Sequence, residues 1–181
     1  MKNCLILILI FQVILFSCSK TDKTGKQAEI KDLKSSKRKV EQSLILSDFE
    51  GNEYKIEQFK GSVILLNFWT SWVVSAEAEL KKLAQLSTEI KDKEFTIISI
   101  SLDDPYSPRL QEFVNKIKNN LTFNVFISQN NNEMNKVFYE IPQKIPCYYI
   151  INKNFEIVNH FTDPLDIDQT KKLIKDYLNE K

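Results

Sequence analysis

The sequence predicts an α/β fold, in which helices flank a mixed central sheet and a β-hairpin precedes it. Two short apolar runs, at residues 63–68 and 95–102, have the composition of strands buried on both faces. Apolar residues at helical spacing follow each run, and the connections are short. This alternation predicts parallel strands joined by right-handed crossovers. After a turn at residues 152–154, the segment 155–161 is predicted to return as an antiparallel strand.

Residues 63–83 are the central element of this prediction. The run at 63–68 is broken only by Asn67, and after a four-residue turn the apolar positions Leu80, Leu83 and Ala84 recur at helical spacing. A buried strand that leads directly into an amphipathic helix places the helix N-terminus at the strand's carboxyl end, where open α/β sheets usually carry their chemistry. The free N–H groups and partial positive charge of such a helix end stabilise a thiolate.

The other elements follow from local signals. Strands at residues 44–46 and 53–56 surround a Gly51-Asn52 turn and form the predicted N-terminal hairpin. Ser107 and Pro108 have the residue types of a helix N-cap and first helical position. The remaining predicted elements are an extended segment at 123–127, a short helix at 133–139 and a closing helix from about residue 166.

Length and composition limit the possible functions. The 181 residues allow one domain plus a tail, and a net charge of +1 does not indicate nucleic-acid binding. No glycine-rich phosphate loop occurs. Cys147 is the one cysteine of the globular part, and with the single His160 it can form neither a zinc cluster nor an intradomain disulfide. We therefore expect no cofactor, no metal and no nucleic-acid partner.

Residues 1–17 are predicted to be a lipoprotein signal peptide. Lys2 gives a positive start, and the apolar stretch at 5–16 is too short to span a bilayer but typical of a signal-peptide core. Residues 15–18 read LFSC and resemble a bacterial lipobox, which makes Cys18 the predicted lipidation site and membrane anchor. An ordinary secretory signal and an uncleaved anchor are the alternatives. The predicted location is the cell envelope, with the domain anchored outside the cytoplasm, on the periplasmic side.

Residues 18–43 are polar and rich in lysine, and they predict a flexible tether between the membrane and the domain. Contact of this basic segment with anionic lipid is the alternative interpretation. The globular domain is predicted to span residues 44–181.

Residues 61–83 resemble the active-site strand and helix of thioredoxin-like thiol–disulfide reductases of the TlpA/ResA type, a group related to redoxins and AhpC/TSA proteins. In that family the strand ends in N-F-W-A-x-W and continues into C-x-x-C, two further residues and a Glu. Here NFWTSW at 67–72 matches the approach and Glu79 matches the acid, but Val73 and Ala76 stand at the two cysteine positions. The resemblance implies a thioredoxin-like fold with a degenerate active site.

A second stretch, IPQKIPCYYII at residues 141–151, carries the same resemblance. In the thioredoxin family a cis proline before a core strand faces the helix N-terminus. Pro146 aligns with that proline, and Pro142 is the other candidate. The resemblance covers about residues 44–178 and includes the N-terminal hairpin of TlpA-type reductases.

The chemistry of the family needs thiols that these positions lack. Dithiol exchange requires one thiolate that attacks and a second thiol that resolves the mixed disulfide. Val73 and Ala76 supply neither, and a peroxiredoxin cysteine would fall at the same turn. Ser75 is predicted to be a cap or first-turn residue, because the only histidine, His160, lies on a distant strand. We expect no catalytic residue at this turn and favour a non-enzymatic function.

The vacant site is predicted to be a binding surface instead. An exposed Trp72 beside Val73 and Val74 would form an apolar patch, the usual mark of an interaction site. Ile145 and Pro146 complete the predicted binding residues, since the cis-proline edge binds extended chain through backbone hydrogen bonds in this family. Trp69 is expected in the core, and Glu79 in a local ion pair or hydrogen bond.

Three functional hypotheses follow. The leading hypothesis is a membrane-anchored, redox-inactive domain that binds a protein or peptide outside the cytoplasm. The second is residual thiol–disulfide or antioxidant activity through Cys147, the weak catalytic candidate, whose alternative role is that of a small buried apolar residue. The third is a structural subunit whose apolar helix end packs in an assembly.

Overall fold

The computed structural model describes residues 31–32, 38–40, 44–128 and 144–180. Its helices are α1 at Ala76–Glu89, α2 at Pro108–Ile117 and α3 at Ile167–Asn179, with 3-10 turns at Ile56–Phe59 and Lys118–Asn120. The predicted helix at 133–139 lies outside the described residues. The strands are β1 Lys31–Asp32, β2 Arg38–Lys39, β3 Ile45–Ser47, β4 Glu53–Lys55, β5 Val63–Trp69, β6 Phe95–Ser101, β7 Asn124–Ile127, β8 Cys147–Ile151 and β9 Glu156–Phe161.

The described strands form one mixed sheet in the order β1-β9-β8-β5-β6-β7-β3-β4, and β2 also pairs with β9. Strands β5, β6 and β7 run parallel, whereas β8 and β9 return antiparallel beside β5. The predicted hairpin is present as the antiparallel pair β3–β4, closed by the turn at Gly51. The predicted α/β class, mixed sheet and N-terminal hairpin are therefore confirmed.

Helices and loops cover the two faces of the sheet separately. Helices α1, α2 and α3 pack on one face through Leu80, Leu83, Leu110 and Ile174. The opposite face forms a second cluster, in which alternate residues of the central strands pack against the N-terminal part of the domain; this cluster includes Ile64, Leu66, Phe68, Ile98, Ile100, Leu44, Leu46, Ile56 and Cys147. A central strand covered on both faces must be apolar throughout, which is why β5 reads as a continuous apolar run.

Asn67 is the one polar residue of β5, and its side chain is hydrogen-bonded. Its Oδ1 accepts a hydrogen bond from Ser99 Oγ at 3.0 Å, and its Nδ2 donates to the Phe68 carbonyl at 3.3 Å. All seven residues of the strand are buried. A buried amide that is paired in this way avoids the cost of an unsatisfied polar group and links β5 to β6.

The domain begins before the predicted boundary at Leu44. Lys31 is paired with His160 and Arg38 with Ile157, both on β9. Val40 is 3% exposed, and its N–H donates to the Phe155 carbonyl at 3.0 Å. The tether prediction for 18–43 therefore needs correcting at these positions. Its polar composition gave no sign of the strand pairing, because backbone hydrogen bonds do not depend on side-chain type, and it contains one valine that is buried. No helix in the described part of the chain is long and apolar enough to cross a membrane.

We expect Val40→Ala to lower the free energy of unfolding by about 1–3 kcal/mol, because it removes buried methyl groups from the second cluster. The neighbouring exposed residue gives a matched control, since Lys39→Ala removes no buried surface. Urea denaturation of both variants measures the difference. If the two substitutions have equal effects, residue 40 is not part of the folded domain.

Candidate functional site

The predicted binding residues come from two neighbouring strands that meet at one edge of the sheet. Strand β5 ends at Trp69 and the chain continues through a short turn into α1. Strand β8 begins beside it, with Cys147 paired to Phe68. The Ile145–Pro146 peptide bond is cis, as the resemblance implied for Pro146. The turn before α1 and the cis proline therefore lie at the carboxyl ends of the parallel strands.

The two positions that hold cysteines in the family point into the protein. Ala76 is 4% exposed, and Val73 is half-buried against the core of the helix face. The side chains between and before them are open to solvent: Trp72 is 61% exposed and Val74 fully exposed. Ser75 is the N-cap residue of α1, as predicted, although its side chain makes no capping hydrogen bond.

Glu79 is a buried carboxylate that joins three parts of the fold. It accepts hydrogen bonds from the Tyr148 hydroxyl at 2.7 Å and from the Leu165 N–H at 2.8 Å, and it pairs with Lys82 Nζ at 2.9 Å. The predicted local ion pair is thus present, but Glu79 also bonds β8 and the segment before α3. Burial, with the neighbouring Glu79 carboxylate, raises the pKa of Tyr148 far above its usual range, so this phenol stays a donor.

A second buried carboxylate fixes the turn that carries Trp72. Asp103 follows β6, and its carboxylate accepts hydrogen bonds from the Ser71 N–H at 2.7 Å and the Ser71 hydroxyl at 2.8 Å. The Ser101 hydroxyl donates to the same group at 2.7 Å. Charge-assisted hydrogen bonds of this kind hold the β5–α1 turn against the β6–α2 loop. These bonds act in addition to the turn's own backbone hydrogen bonds, from the Val73 N–H to the Thr70 carbonyl and from the Ala76 N–H to the Val73 carbonyl.

The β6–α2 loop adds a further exposed aromatic residue to this edge. Tyr106 is 90% exposed, and its N–H donates to Asp104 Oδ1 at 2.9 Å. Because the two loops follow adjacent parallel strands and are joined through Asp103, Tyr106 lies on the same edge as Trp72 and Val74. We call the exposed surface of Trp72, Val74 and Tyr106 the aromatic edge. Apolar side chains grouped in this way are typical of interaction sites.

Cys147 lies on the opposite face of the sheet from α1. Its side chain has no exposed surface, and burial raises the pKa of its thiol to about 12. The Sγ lies 3.3 Å from His160 Nε2, and the His160 ring stacks on Tyr149 with centroids 4.6 Å apart. A thiol with this pKa is protonated at neutral pH and is a poor nucleophile. Within the described ranges, no group of three or more potential metal ligands comes together.

Three of these contacts were not predicted from the sequence, although the sequence carries a signal for two of them. Asp103 follows β6 just as Ser71 follows β5, and the ends of adjacent parallel strands meet. His160 and Cys147 lie on the same face of the antiparallel pair β8–β9, because His160 is paired with Tyr149, two residues from Cys147. The Tyr148–Glu79 bond depends on how α1 crosses the sheet, which no local pattern encodes.

Comparison with known proteins gives one family. The model of the AhpC/TSA family matches residues 39–160. Thiol-disulfide oxidoreductase ResA of Oceanobacillus iheyensis is 30% identical, in an alignment covering 99% of this chain and 86% of that protein. The protein of the same name from Bacillus thuringiensis is 27% identical over 76% of this chain and 74% of its own length.

Solved structures give the same fold. A secreted thiol-disulfide isomerase from Corynebacterium glutamicum superposes with a TM-score of 0.70 at 17% identity, covering 87% of this chain and 95% of that one. A thioredoxin-family thiol:disulfide interchange protein from Chlorobium tepidum gives a TM-score of 0.66 at 17% identity, covering 80% and 99%. At these identities the likeness establishes the thioredoxin-like fold alone.

We expect Glu79→Ala to lower the free energy of unfolding by about 2–4 kcal/mol, because it leaves the buried Tyr148 hydroxyl and Leu165 N–H without an acceptor. Glu77, two residues earlier in α1, is a matched control. Its ion pairs with Lys81 and Lys116 are exposed to solvent, so Glu77→Ala should have a much smaller effect. Urea denaturation measures both. Equal losses would contradict a bridging role for Glu79.

Proposed function

Because the chain belongs to the AhpC/TSA family and is a thioredoxin-like protein of the ResA thiol–disulfide oxidoreductase type, we propose that it keeps the family's fold as a binding domain and has given up thiol–disulfide exchange. It is anchored to the membrane through lipidated Cys18. Outside the cytoplasm it binds a protein or peptide. The binding residues are Trp72, Val73, Val74, Ile145 and Pro146.

The family's reaction requires two thiols at the start of α1. An attacking thiolate forms a mixed disulfide, and a second thiol in reach releases the substrate. In this chain the corresponding side chains are Val73 and Ala76, which have no group that can attack, accept or release a disulfide. Ala76 is buried and Val73 half-buried, so the two positions now contribute to packing.

The exposure of Trp72 and Val74 is the observation that carries the proposal. Trp72 is 61% exposed and Val74 fully exposed, at the edge where cis Pro146 enters β8. Exposed tryptophan is costly to leave in water and is strongly enriched among residues that dominate binding energy. A surface of this kind stays useful after the thiols are lost, because contacts to backbone and apolar side chains need no thiol.

The rigidity of the site supports the same proposal. The Ser71–Asp103 hydrogen bonds fix the turn that carries Trp72. A turn that is already ordered loses less conformational entropy when a partner binds, which increases affinity. The Glu79 network supports the first turn of α1 from the other side.

We expect Trp72→Ala to weaken partner capture about tenfold or more, because it removes the largest exposed apolar side chain of the site. Ile45, 47% exposed on β3, is a matched control outside the site, and Ile45→Ala should leave capture unchanged. Immobilised full chain is incubated with envelope extract, and quantitative mass spectrometry compares the captured proteins. Capture that does not change with Trp72→Ala would contradict the proposal.

One observation favours a second candidate, residual thiol chemistry at Cys147. His160 Nε2 lies 3.3 Å from Cys147 Sγ, close enough for the imidazole to act as a base that accepts the thiol proton. The full burial of Cys147 and its raised pKa weigh against this candidate, since a disulfide substrate could not approach the sulfur.

We expect Cys147 to be alkylated slowly in the native protein. A rise in the pKa from 9.0 to about 12 lowers the thiolate fraction at neutral pH about a thousandfold, and burial slows the reaction further. Iodoacetamide labelling, followed by mass spectrometry, measures the rate. A surface thiol introduced as Lys93→Cys is the control. If Cys147 reacts as fast as that control, residual thiol chemistry becomes the better candidate.

A further inference from the structure

The direction of β1 determines where the membrane-attached end of the chain leaves the domain. Strand β1 runs antiparallel to β9, with Lys31 paired to His160 and Asp32 to Asn159. Strands β9 and β5 have the same direction, because each is antiparallel to β8. The chain that precedes Lys31 therefore leaves the sheet toward the carboxyl end of β5. The aromatic edge lies at that end.

The lateral distance between β1 and β5 is short. Strands β9 and β8 lie between β1 and β5, so β1 is three strand spacings, about 15 Å, from the strand that leads to Trp72. Residues 19–30 separate Cys18 from Lys31, and twelve residues span at most about 40 Å when fully extended. The chain that precedes β1 therefore leaves the domain at the end that carries the aromatic edge. The opposite end of β6 is about 20 Å farther away.

We propose that the aromatic edge faces the membrane that anchors the chain, and that it binds an uncharged polypeptide segment of a protein in that same membrane. The inference rests on the proposed function and specifies its partner. It adds Tyr106 to the binding residues and makes Asp103 a positioning residue, since Asp103 holds the turn with Trp72 against the loop with Tyr106.

The charges at this edge favour a polypeptide over the lipid surface as the occupant. Asp104 and Arg109 are both exposed and lie two and three residues from Tyr106, so insertion of Tyr106 into lipid would bring two charged groups toward the apolar interior. The nearby ion pairs, Lys144 with Asp163 and Lys116 with Glu77, balance their own charge. An uncharged polypeptide segment can pack on Trp72, Val74 and Tyr106 without burying any of these groups.

Energy transfer from the protein to the vesicle surface tests the orientation. The full chain is reconstituted in phosphatidylcholine vesicles that contain a rhodamine-labelled lipid as acceptor. A donor dye is placed at Tyr106→Cys or at Lys93→Cys, which lies at the other end of β6, with Cys147 replaced by serine in the lipidated chain that begins at Cys18. We expect higher transfer from position 106. Asp32→Pro removes a β1 N–H and should abolish the difference, whereas Asp32→Ala keeps the N–H and should preserve it.

Equal transfer from both positions, or higher transfer from position 93, would overturn the inference. It would leave the proposed function intact if capture still depended on Trp72. A difference that persists in Asp32→Pro would also overturn it, because β1 would not be what orients the domain.

Two further measurements identify the occupant. Trp72 is the exposed one of the two tryptophans, so its fluorescence reports contact with lipid. We expect no quenching by dibrominated phosphatidylcholine, because the proposed occupant is a polypeptide. Strong quenching would make lipid the occupant and overturn the inference. A photo-reactive benzoylphenylalanine at position 106 in living cells should cross-link to a membrane-anchored protein. Cross-linking only to soluble proteins would contradict the proposed partner.

Discussion

The buried carboxylate of Glu79 is the contact on which the candidate site depends. It ties the first turns of α1 to β8 through Tyr148 and to the segment before α3 through the Leu165 N–H. Burying this carboxylate without its partners would be costly. Stable packing of α1 therefore requires β8 and the segment before α3 to be in place. The position of α1 in turn decides that Val73 and Ala76 face inward while Val74 faces solvent. In a family whose acid stands near reactive thiols, this chain uses the same position to hold the helix in place.

The fold does not need thiols at positions 73 and 76, which hold valine and alanine. Its stability comes from a sheet covered on both faces, with β5 buried throughout. The remaining thiol in the described part of the domain, Cys147, belongs to that packing, beside Phe68 and Tyr149. The edge at the start of α1 keeps its shape through Asp103 and keeps an exposed tryptophan. Position, rigidity and apolar surface are what a binding site requires, and all three remain.

Most of the fold was predictable from the sequence, because its signals are local. Apolar runs mark β5 and β6, the Ser107-Pro108 pair marks the start of α2, and the proline before β8 is cis as the resemblance implied. The candidate site was predictable only in part. The exposure of Trp72 follows from its place in a turn, but Asp103, Tyr106 and the Cys147–His160 contact depend on which strands are neighbours. The pairing of β1 and β2 with β9 was missed because backbone hydrogen bonds form between polar residues as readily as between apolar ones.

Thiol–disulfide exchange by the full chain is the most direct test of the central claim. Reduction of insulin disulfides is measured for the natural sequence, for Cys147→Ser and for the double variant Val73→Cys/Ala76→Cys. We predict no turnover for the first two. We expect turnover in the double variant, because the strand, helix and cis proline that position such a pair are in place. Turnover by the natural sequence that is lost in Cys147→Ser would contradict the account and make Cys147 the active residue.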